Sequence, residues 1–170
     1  MRLNRLTLGC IFNWRARMAV LDALLLVIWA NAVPVAARLA LADRWAAPVD
    51  GGAVFYDGRP WLGASKTWRG WFACVLTTPW IAAILGWPWA LGLTVALGAM
   101  LGDAVASFVK RRFDVRSGAS VPVLDQVPEA LIPALALQSP MSLTPIDLAF
   151  VVGGFWMVDR LLTPVARRLR

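Results

Sequence analysis

The chain has 170 residues, of which 59% are hydrophobic and 16% charged, and its mean hydropathy is +0.65. An average soluble domain is about half apolar and about one quarter charged, so this composition excludes an ordinary soluble domain. It also excludes disorder, which requires low hydrophobicity. The net charge is +7, and because the basic residues lie beside apolar stretches, we interpret it as the positive-inside bias of a membrane protein and predict no nucleic-acid partner. Histidine is absent, which excludes a Ser-His-Asp triad and a histidine-ligated zinc.

The first predicted element is a membrane span from Met18 to Leu41, preceded by residues 1–17 as an interfacial or disordered segment. No charged side chain occurs in residues 70–102. A single helix of that length would extend about 50 Å, whereas the hydrocarbon core is about 30 Å thick. We therefore predict two spans there, joined by a turn at residues 86–89, where tryptophan alternates with glycine and proline.

Residues 127–137 and 146–162 are the predicted fourth and fifth spans. The expected fold class is all-α integral membrane, with about five transmembrane helices in a single domain over residues 1–170. The loops at residues 42–69 and 110–124 carry many of the basic residues, and the positive-inside rule places both in the cytoplasm. We expect a multi-pass protein of the cytoplasmic membrane, with a polar site that faces the cytoplasm.

The first loop contains candidate phosphate-binding residues. It is rich in glycine and ends in a short stretch that holds Lys66, Thr67 and Arg69. Backbone N–H groups of flexible glycines, together with basic side chains, are typical ligands of phosphate oxygens. The spacing differs from that of a P-loop, because two residues separate Gly63 from Lys66. We predict that this loop contacts phosphate without forming a P-loop.

Two further polar clusters flank the second loop. An ionisable residue within an apolar span costs about 2.5–3.5 kcal/mol to insert, so Asp103 is expected to have a partner or a function. Helical spacing places Ser107 and either Lys110 or Arg111 on the same helix face as Asp103. The clusters comprise Asp103, Ser107, Lys110, Arg111 and Arg112 in the first, and Asp125, Gln126 and Glu129 in the second.

These groups favour phosphoryl or nucleotidyl transfer at a membrane surface. Carboxylates suit Mg²⁺, which usually takes only one or two protein carboxylates together with substrate phosphates. Arginine and lysine suit phosphate oxygens. No histidine is present to act as a general base, and a phosphate nucleophile needs none, because the second pKa of a phosphate monoester is about 6.

Three sequence blocks resemble the CDP-archaeol synthase family of CTP-dependent lipid cytidylyltransferases, which is related to the phosphatidate cytidylyltransferases. Their order and spacing match the family over residues 31–129. The blocks are Lys66-Thr67-Trp68-Arg69-Gly70, Gly102-Asp103 with Ser107-Phe108-Val109-Lys110-Arg111-Arg112, and Leu124-Asp125-Gln126, supported by Pro48-Val49-Asp50 and Asp57-Gly58-Arg59. The resemblance implies that CTP and a membrane lipid phosphate give a CDP-lipid and pyrophosphate, with Mg²⁺ as the cofactor.

The same resemblance implies roles for individual residues. The implied catalytic residues are Asp103, Asp125, Lys110 and Arg111, with Asp103 and Asp125 also as the metal ligands. The implied nucleotide- or phosphate-binding residues are Lys66, Thr67, Arg69, Ser107, Arg112 and Gln126. In one departure from the family, Pro128 occupies the position of a further acid, and Glu129 is the neighbouring acid. The lipid acceptor implied is phosphatidic acid or an ether-lipid phosphate, and the oligomeric state is left open.

Two other interpretations stay open at this point. A non-catalytic membrane scaffold would use its buried acids as structural pairs, and a degenerate paralogue would bind CTP but turn over slowly. The motif of the CDP-alcohol phosphatidyltransferases is absent, since Asp57-Gly58-Arg59 is only a fragment of it. Nucleotide binding separates a scaffold from the other two, because a ligand that binds the folded state stabilises it.

Overall fold

The computed structural model describes residues 5–119 and 121–168, with side chains described for residues 18–119, 121 and 123–161. These residues form five helices: α1 (Arg5–Leu41), α2 (Trp68–Ile84), α3 (Trp89–Arg112), α4 (Pro122–Gln138) and α5 (Pro145–Arg168). The described part of the chain contains no β-strand, only two isolated bridges in the loop between α1 and α2. The all-α prediction is confirmed.

The helices follow the predicted order, and the turn between α2 and α3 lies at the predicted place. Gly86 there has a φ of +84°, in the left-handed region that favours glycine, and Pro88 is the N-cap of α3. Residues 5–17 continue α1 as a helix, while residues 1–4 of the predicted interfacial or disordered segment lie outside the described residues.

Both loops are shorter than the sequence pattern indicates. The first loop is residues 42–67, because α2 begins at Trp68. The second loop is residues 113–121. Its start is later than expected because α3 continues through a basic last turn, where cations interact favourably with the helix dipole. Its end is earlier because Pro122 begins α4, and proline suits the first turn of a helix.

Helix α1 packs against the other four helices, and α3 and α4 form the most extensive helix pair. The buried residues between the helices are largely small, which lets the backbones approach one another. Fully buried alanines in this core are Ala23, Ala30, Ala82, Ala96, Ala99, Ala130 and Ala134.

Two contacts bring the backbones of α3 and α4 together. A Cβ atom at Gly102 would overlap the carbonyl oxygen of Pro128, and one at Gly98 would lie 3.1 Å from the Cα of Pro133. Only glycine therefore fits at Gly102, directly before Asp103. This close approach places the polar ends of α3 and α4 side by side.

The outward helix faces carry large apolar side chains, as expected of a bundle embedded in lipid rather than water. Exposed examples are Leu21, Leu25, Phe72, Leu76, Trp80, Ile84, Leu97, Leu101, Phe150 and Leu161. Two of the described helical segments, Met18–Leu41 and Trp89–Arg112, are long and apolar enough to cross a membrane. Helices α2 and α4, at 17 residues each, lie near the lower limit of length for a spanning helix.

We expect Gly102→Ala to destabilise the bundle by about 1–3 kcal/mol, the typical result of forcing an extra carbon into a packed contact. Gly153→Ala is the matched control, because a Cβ at Gly153 would meet nothing within 4 Å. Thermal unfolding in detergent measures both variants. Equal melting temperatures for the two variants would contradict the packing described for α3 and α4.

Candidate functional site

Asp50 organises the first loop. Its carboxylate accepts hydrogen bonds from the backbone N–H groups of Gly52, Leu62 and Gly63, at 3.0, 2.9 and 2.8 Å. The loop is closed further by a 2.8 Å backbone bond from the N–H of Val49 to the carbonyl of Lys66. The loop is therefore a folded unit that delivers Lys66 at a defined place.

These bonds set the acidity of Asp50. Partial burial raises the pKa of this carboxyl, but the N–H groups of Gly63, Leu62 and Gly52 lower it by more, so the pKa lies below its ordinary value of 3.8. The folded loop thus favours the charged form of Asp50.

Two lysine–aspartate pairs form the centre of the site. Lys66, from the first loop, bonds to Oδ1 of Asp103 on α3. Lys110, at the end of α3, lies 2.5 Å from Oδ1 of Asp125 in the first turn of α4. The other oxygen of Asp125 accepts the N–H of Val121, the N-cap residue, at 2.9 Å. Both pairs are largely shielded from solvent, where charges survive only with such partners.

Glu129 connects the two pairs. Its partly buried side chain lies close to that of Asp103, and it interacts electrostatically with Asp103, Lys66 and Asp125. Three carboxyl groups from α3 and α4 therefore gather beside two ammonium groups. Pro128, at the position where the family tends to have an acid, instead directs its carbonyl at Gly102. Ser107 is fully buried and lies one helical turn after Asp103 in α3.

Gln126 is fixed by a residue that the sequence reasoning did not select. Its side-chain N–H donates to Oδ2 of Asp159 on α5. A carboxylate oxygen only accepts, so the amide of Gln126 is oriented with its carbonyl oxygen facing the other way. That oxygen is buried without a hydrogen-bond partner among the described residues. In the sequence, Asp159 could have been selected because it is an acidic residue near the end of an apolar span.

Arg69 and Thr67 lie where the first loop joins α2. The Arg69 guanidinium donates to the carbonyl of Ala42 and, at 3.0 Å, to that of Arg44. These carbonyls follow the C-terminus of α1, so the buried arginine ties that end of the helix to α2. Thr67 is the N-cap of α2, but its hydroxyl makes no capping bond.

The basic triplet at the end of α3 diverges. Lys110 and Arg111 are buried, and each also donates to a carbonyl of the second loop, Ala119 and Arg116 respectively, at 3.2 Å. Arg112 turns instead toward the first loop, where it bonds to Asp57 at 2.8 Å. The structure thus brings Lys66, Asp103, Lys110 and Asp125 together and sets Arg69 and Arg112 at contacts with the loop backbone.

Comparison with known proteins gives this arrangement a context. A family model described as CarS-like CDP-archaeol synthase matches residues 86–165. The chain is 38% identical over 111 residues to a CDP-archaeol synthase of Hyperthermus butylicus, covering 62% of this chain and 63% of that one. It is 44% identical over 86 residues to that of Methanopyrus kandleri, covering 47% and 50%. The chain is thus similar in sequence to the CDP-archaeol synthases.

The resemblance predicted from the three sequence blocks is therefore confirmed. The segment matched by the CDP-archaeol synthase model includes the polar residues of α3 and α4 but not Lys66. The chain spans 63% or less of the length of these two curated relatives. A solved structure described as an intramembrane enzyme for archaeal membrane lipids biosynthesis has a TM-score of 0.69 and 29% identity, covering 84% of this chain and 90% of that one.

We predict that Asp50→Asn lowers the melting temperature at pH 7, because the amide cannot accept all three N–H bonds. Since the folded-state pKa is depressed, the stabilisation by Asp50 is complete above the unfolded value and is lost as the pH falls below about 4. Melting curves of both proteins from pH 7 to pH 3 should therefore converge at the acid end. A constant difference over this range would contradict the role of Asp50, and exposed Asp43→Asn is the control.

Proposed function

We propose that the chain is a CTP-dependent cytidylyltransferase, which transfers CMP from CTP to a membrane lipid phosphate and gives a CDP-lipid and pyrophosphate. The observation that carries this proposal is the paired arrangement of Lys66 with Asp103 and of Lys110 with Asp125. It presents cations for a triphosphate and carboxylates for its metal at one place. The similarity to CDP-archaeol synthases supports the same activity.

The reaction uses two anionic substrates. An oxygen of the lipid phosphate forms a bond to the α-phosphorus of CTP, and the bond from that phosphorus to the bridging oxygen of the β-phosphate breaks. Pyrophosphate leaves with the electron pair of that bond. Because the nucleophile is already ionised near neutral pH, the site needs no general base. Its task is to neutralise charge and to align the two phosphates.

The donor set fits Mg²⁺, and Asp103 and Asp125 would hold it. Both offer the hard oxygen ligands that Mg²⁺ prefers. The described residues contain no group of three or more acidic, cysteine or histidine side chains arranged as a complete metal site, and Mg²⁺ needs only one or two protein carboxylates. When bound, the ion neutralises charge on the triphosphate and on the leaving pyrophosphate.

When substrate binds, the lysine and the aspartate of each ion pair take separate roles. Lys66 and Lys110 move from their carboxylates to triphosphate oxygens, and the carboxylates become available as ligands. Arg111 adds positive charge beside them, while the hydroxyls of Ser107 and Thr67 donate to phosphate oxygens. The buried carbonyl oxygen of Gln126 accepts a hydrogen bond from the substrate. Of the remaining arginines, Arg69 supports the loop through its bonds to the carbonyls that follow α1.

We place all five helices across the cytoplasmic membrane, with both loops on the cytoplasmic side, where CTP is available. The apolar exterior of the bundle supports this arrangement, as does the likeness to an intramembrane enzyme. The acceptor that we propose is an isoprenoid ether-lipid phosphate, since the relatives are CDP-archaeol synthases. Labelled CTP offered with either this lipid or phosphatidic acid decides between the two acceptors.

We expect Asp125→Asn to reduce turnover by on the order of 100-fold or more, because it removes charge at the transferring phosphate. Label from CTP in the lipid phase measures turnover. Asp22→Asn is the matched control: Asp22 is also an acid in a span, and it accepts a 3.0 Å bond from Trp87 in the α2–α3 turn, away from the loops. Near-normal turnover in folded Asp125→Asn would sink the proposal.

Lys66→Gln should raise the KM for CTP about tenfold or more, since it removes a charged hydrogen bond to the triphosphate. Lys66→Arg keeps the charge and should recover part of the affinity. Stabilisation of the protein by CTP with Mg²⁺, measured by thermal unfolding, reports binding independently of turnover. The absence of such stabilisation in the wild-type protein would favour a non-catalytic scaffold.

A further inference from the structure

Arg112 makes an unusual number of contacts with the first loop. Its guanidinium donates to Oδ1 of Asp57 at 2.8 Å and to the carbonyl oxygens of Pro60 and Arg59 at 2.6 and 3.4 Å. In return, the side chain of Arg59 donates to the carbonyl of Arg112. The end of α3 and the middle of the loop are thus bonded in both directions.

An aromatic cluster surrounds the same guanidinium. Its central carbon lies 4.7 Å from the ring centre of Phe55 and 4.8 Å from that of Phe108, within the range of cation–π attraction. Phe55 packs edge-on against Phe108 and Trp61, with ring centres 5.4 Å apart in both pairs. Phe108 belongs to α3 and the other two rings belong to the loop, so Arg112 joins them into one unit.

The second loop adds a smaller contact of the same kind. The hydroxyl of Ser117 accepts the N–H of Ser65 at 3.3 Å and lies 3.3 Å from its hydroxyl. Ser65 directly precedes Lys66. The first loop is therefore held at Phe55–Trp61 by Arg112 and at Ser65 by the second loop, and Lys66, which pairs with Asp103, directly follows the second of these points.

We propose that Arg112 is a positioning residue, which with Phe55 and Phe108 clamps the first loop onto α3 so that Lys66 meets Asp103. It acts on CTP binding through the loop and does not itself bind phosphate. This inference rests on the proposed function for its effect on CTP, whereas the clamp itself can be tested without any activity.

The chemistry of the contacts separates this role from that of a phosphate ligand. A guanidinium is planar, donates in several fixed directions and stacks on rings, whereas an ammonium is a compact point charge. Arg112→Lys would preserve charge for a phosphate, but it cannot reproduce the fork to Asp57 and Pro60 or the contact with two rings. Phe55→Leu removes a ring that has no means of binding phosphate.

The first measurement is limited trypsin digestion of the loop, without nucleotide, in Arg112→Lys, Phe55→Leu and the double variant. The controls are exposed Arg116→Lys and Phe113→Leu, which lie beside the clamp in sequence. We expect each clamp variant to speed cleavage within residues 42–67 about three- to tenfold, because loss of a cation–π contact favours local opening. The double variant should be little faster than the faster single variant, since both remove the same unit.

The second measurement is the KM for CTP, which should rise in both single clamp variants and stay unchanged in the controls. Unchanged cleavage in the clamp variants, or faster cleavage with an unchanged KM, would overturn the proposal. A normal KM for CTP in Phe55→Leu together with a raised KM in Arg112→Gln would also overturn the proposal. That result is expected if Arg112 binds phosphate directly. If the wild-type protein transferred no label to any lipid, the proposed function would fail, and cleavage rates with stabilisation by CTP would still decide whether the clamp positions the loop.

Discussion

The close approach of α3 and α4 is the constraint on which the site depends. Gly102 leaves room for the carbonyl of Pro128, and Gly98 lies against Pro133 one to two turns away. Because the two backbones nearly touch there, side chains at the ends of both helices share one space. Asp103 of α3 lies close to Glu129 of α4, and Lys110 of α3 forms an ion pair with Asp125 of α4. A larger residue at Gly102 would separate groups whose chemistry requires contact.

Charge pairing makes this site compatible with a membrane. A lone carboxylate or ammonium group shielded from water is strongly unfavourable, so each of Asp103 and Asp125 is held by a lysine. In the proposed function, the same pairs supply cations for the triphosphate and carboxylates for its metal ion. In the proposed reaction, the lysines exchange their aspartate partners for phosphate oxygens.

The loop between α1 and α2 is the third part of this design. Asp50 folds it through three backbone N–H groups, while Arg69 ties the end of α1 to α2. Arg112 then attaches the folded loop to α3 through hydrogen bonds and two rings. These attachments accompany the contact of Lys66 with Asp103, and we propose that the attachment by Arg112 positions Lys66. Basic residues that look equivalent in the sequence thus divide into those near the acids and those that hold the loop.

The sequence alone determined the all-helical class, the order of the helices, the turn at Gly86 and the polar residues of α3 and α4, because apolar run length and isolated charges reflect the cost of burying polar groups. Only the tertiary structure decided which lysine pairs with which aspartate, that Asp159 orients Gln126, and that Arg112 faces the loop. These partners lie 15 to 55 residues apart in the chain. Helical periodicity fixes the side of a helix on which a residue lies, whereas the packing of other helices and loops fixes what it meets.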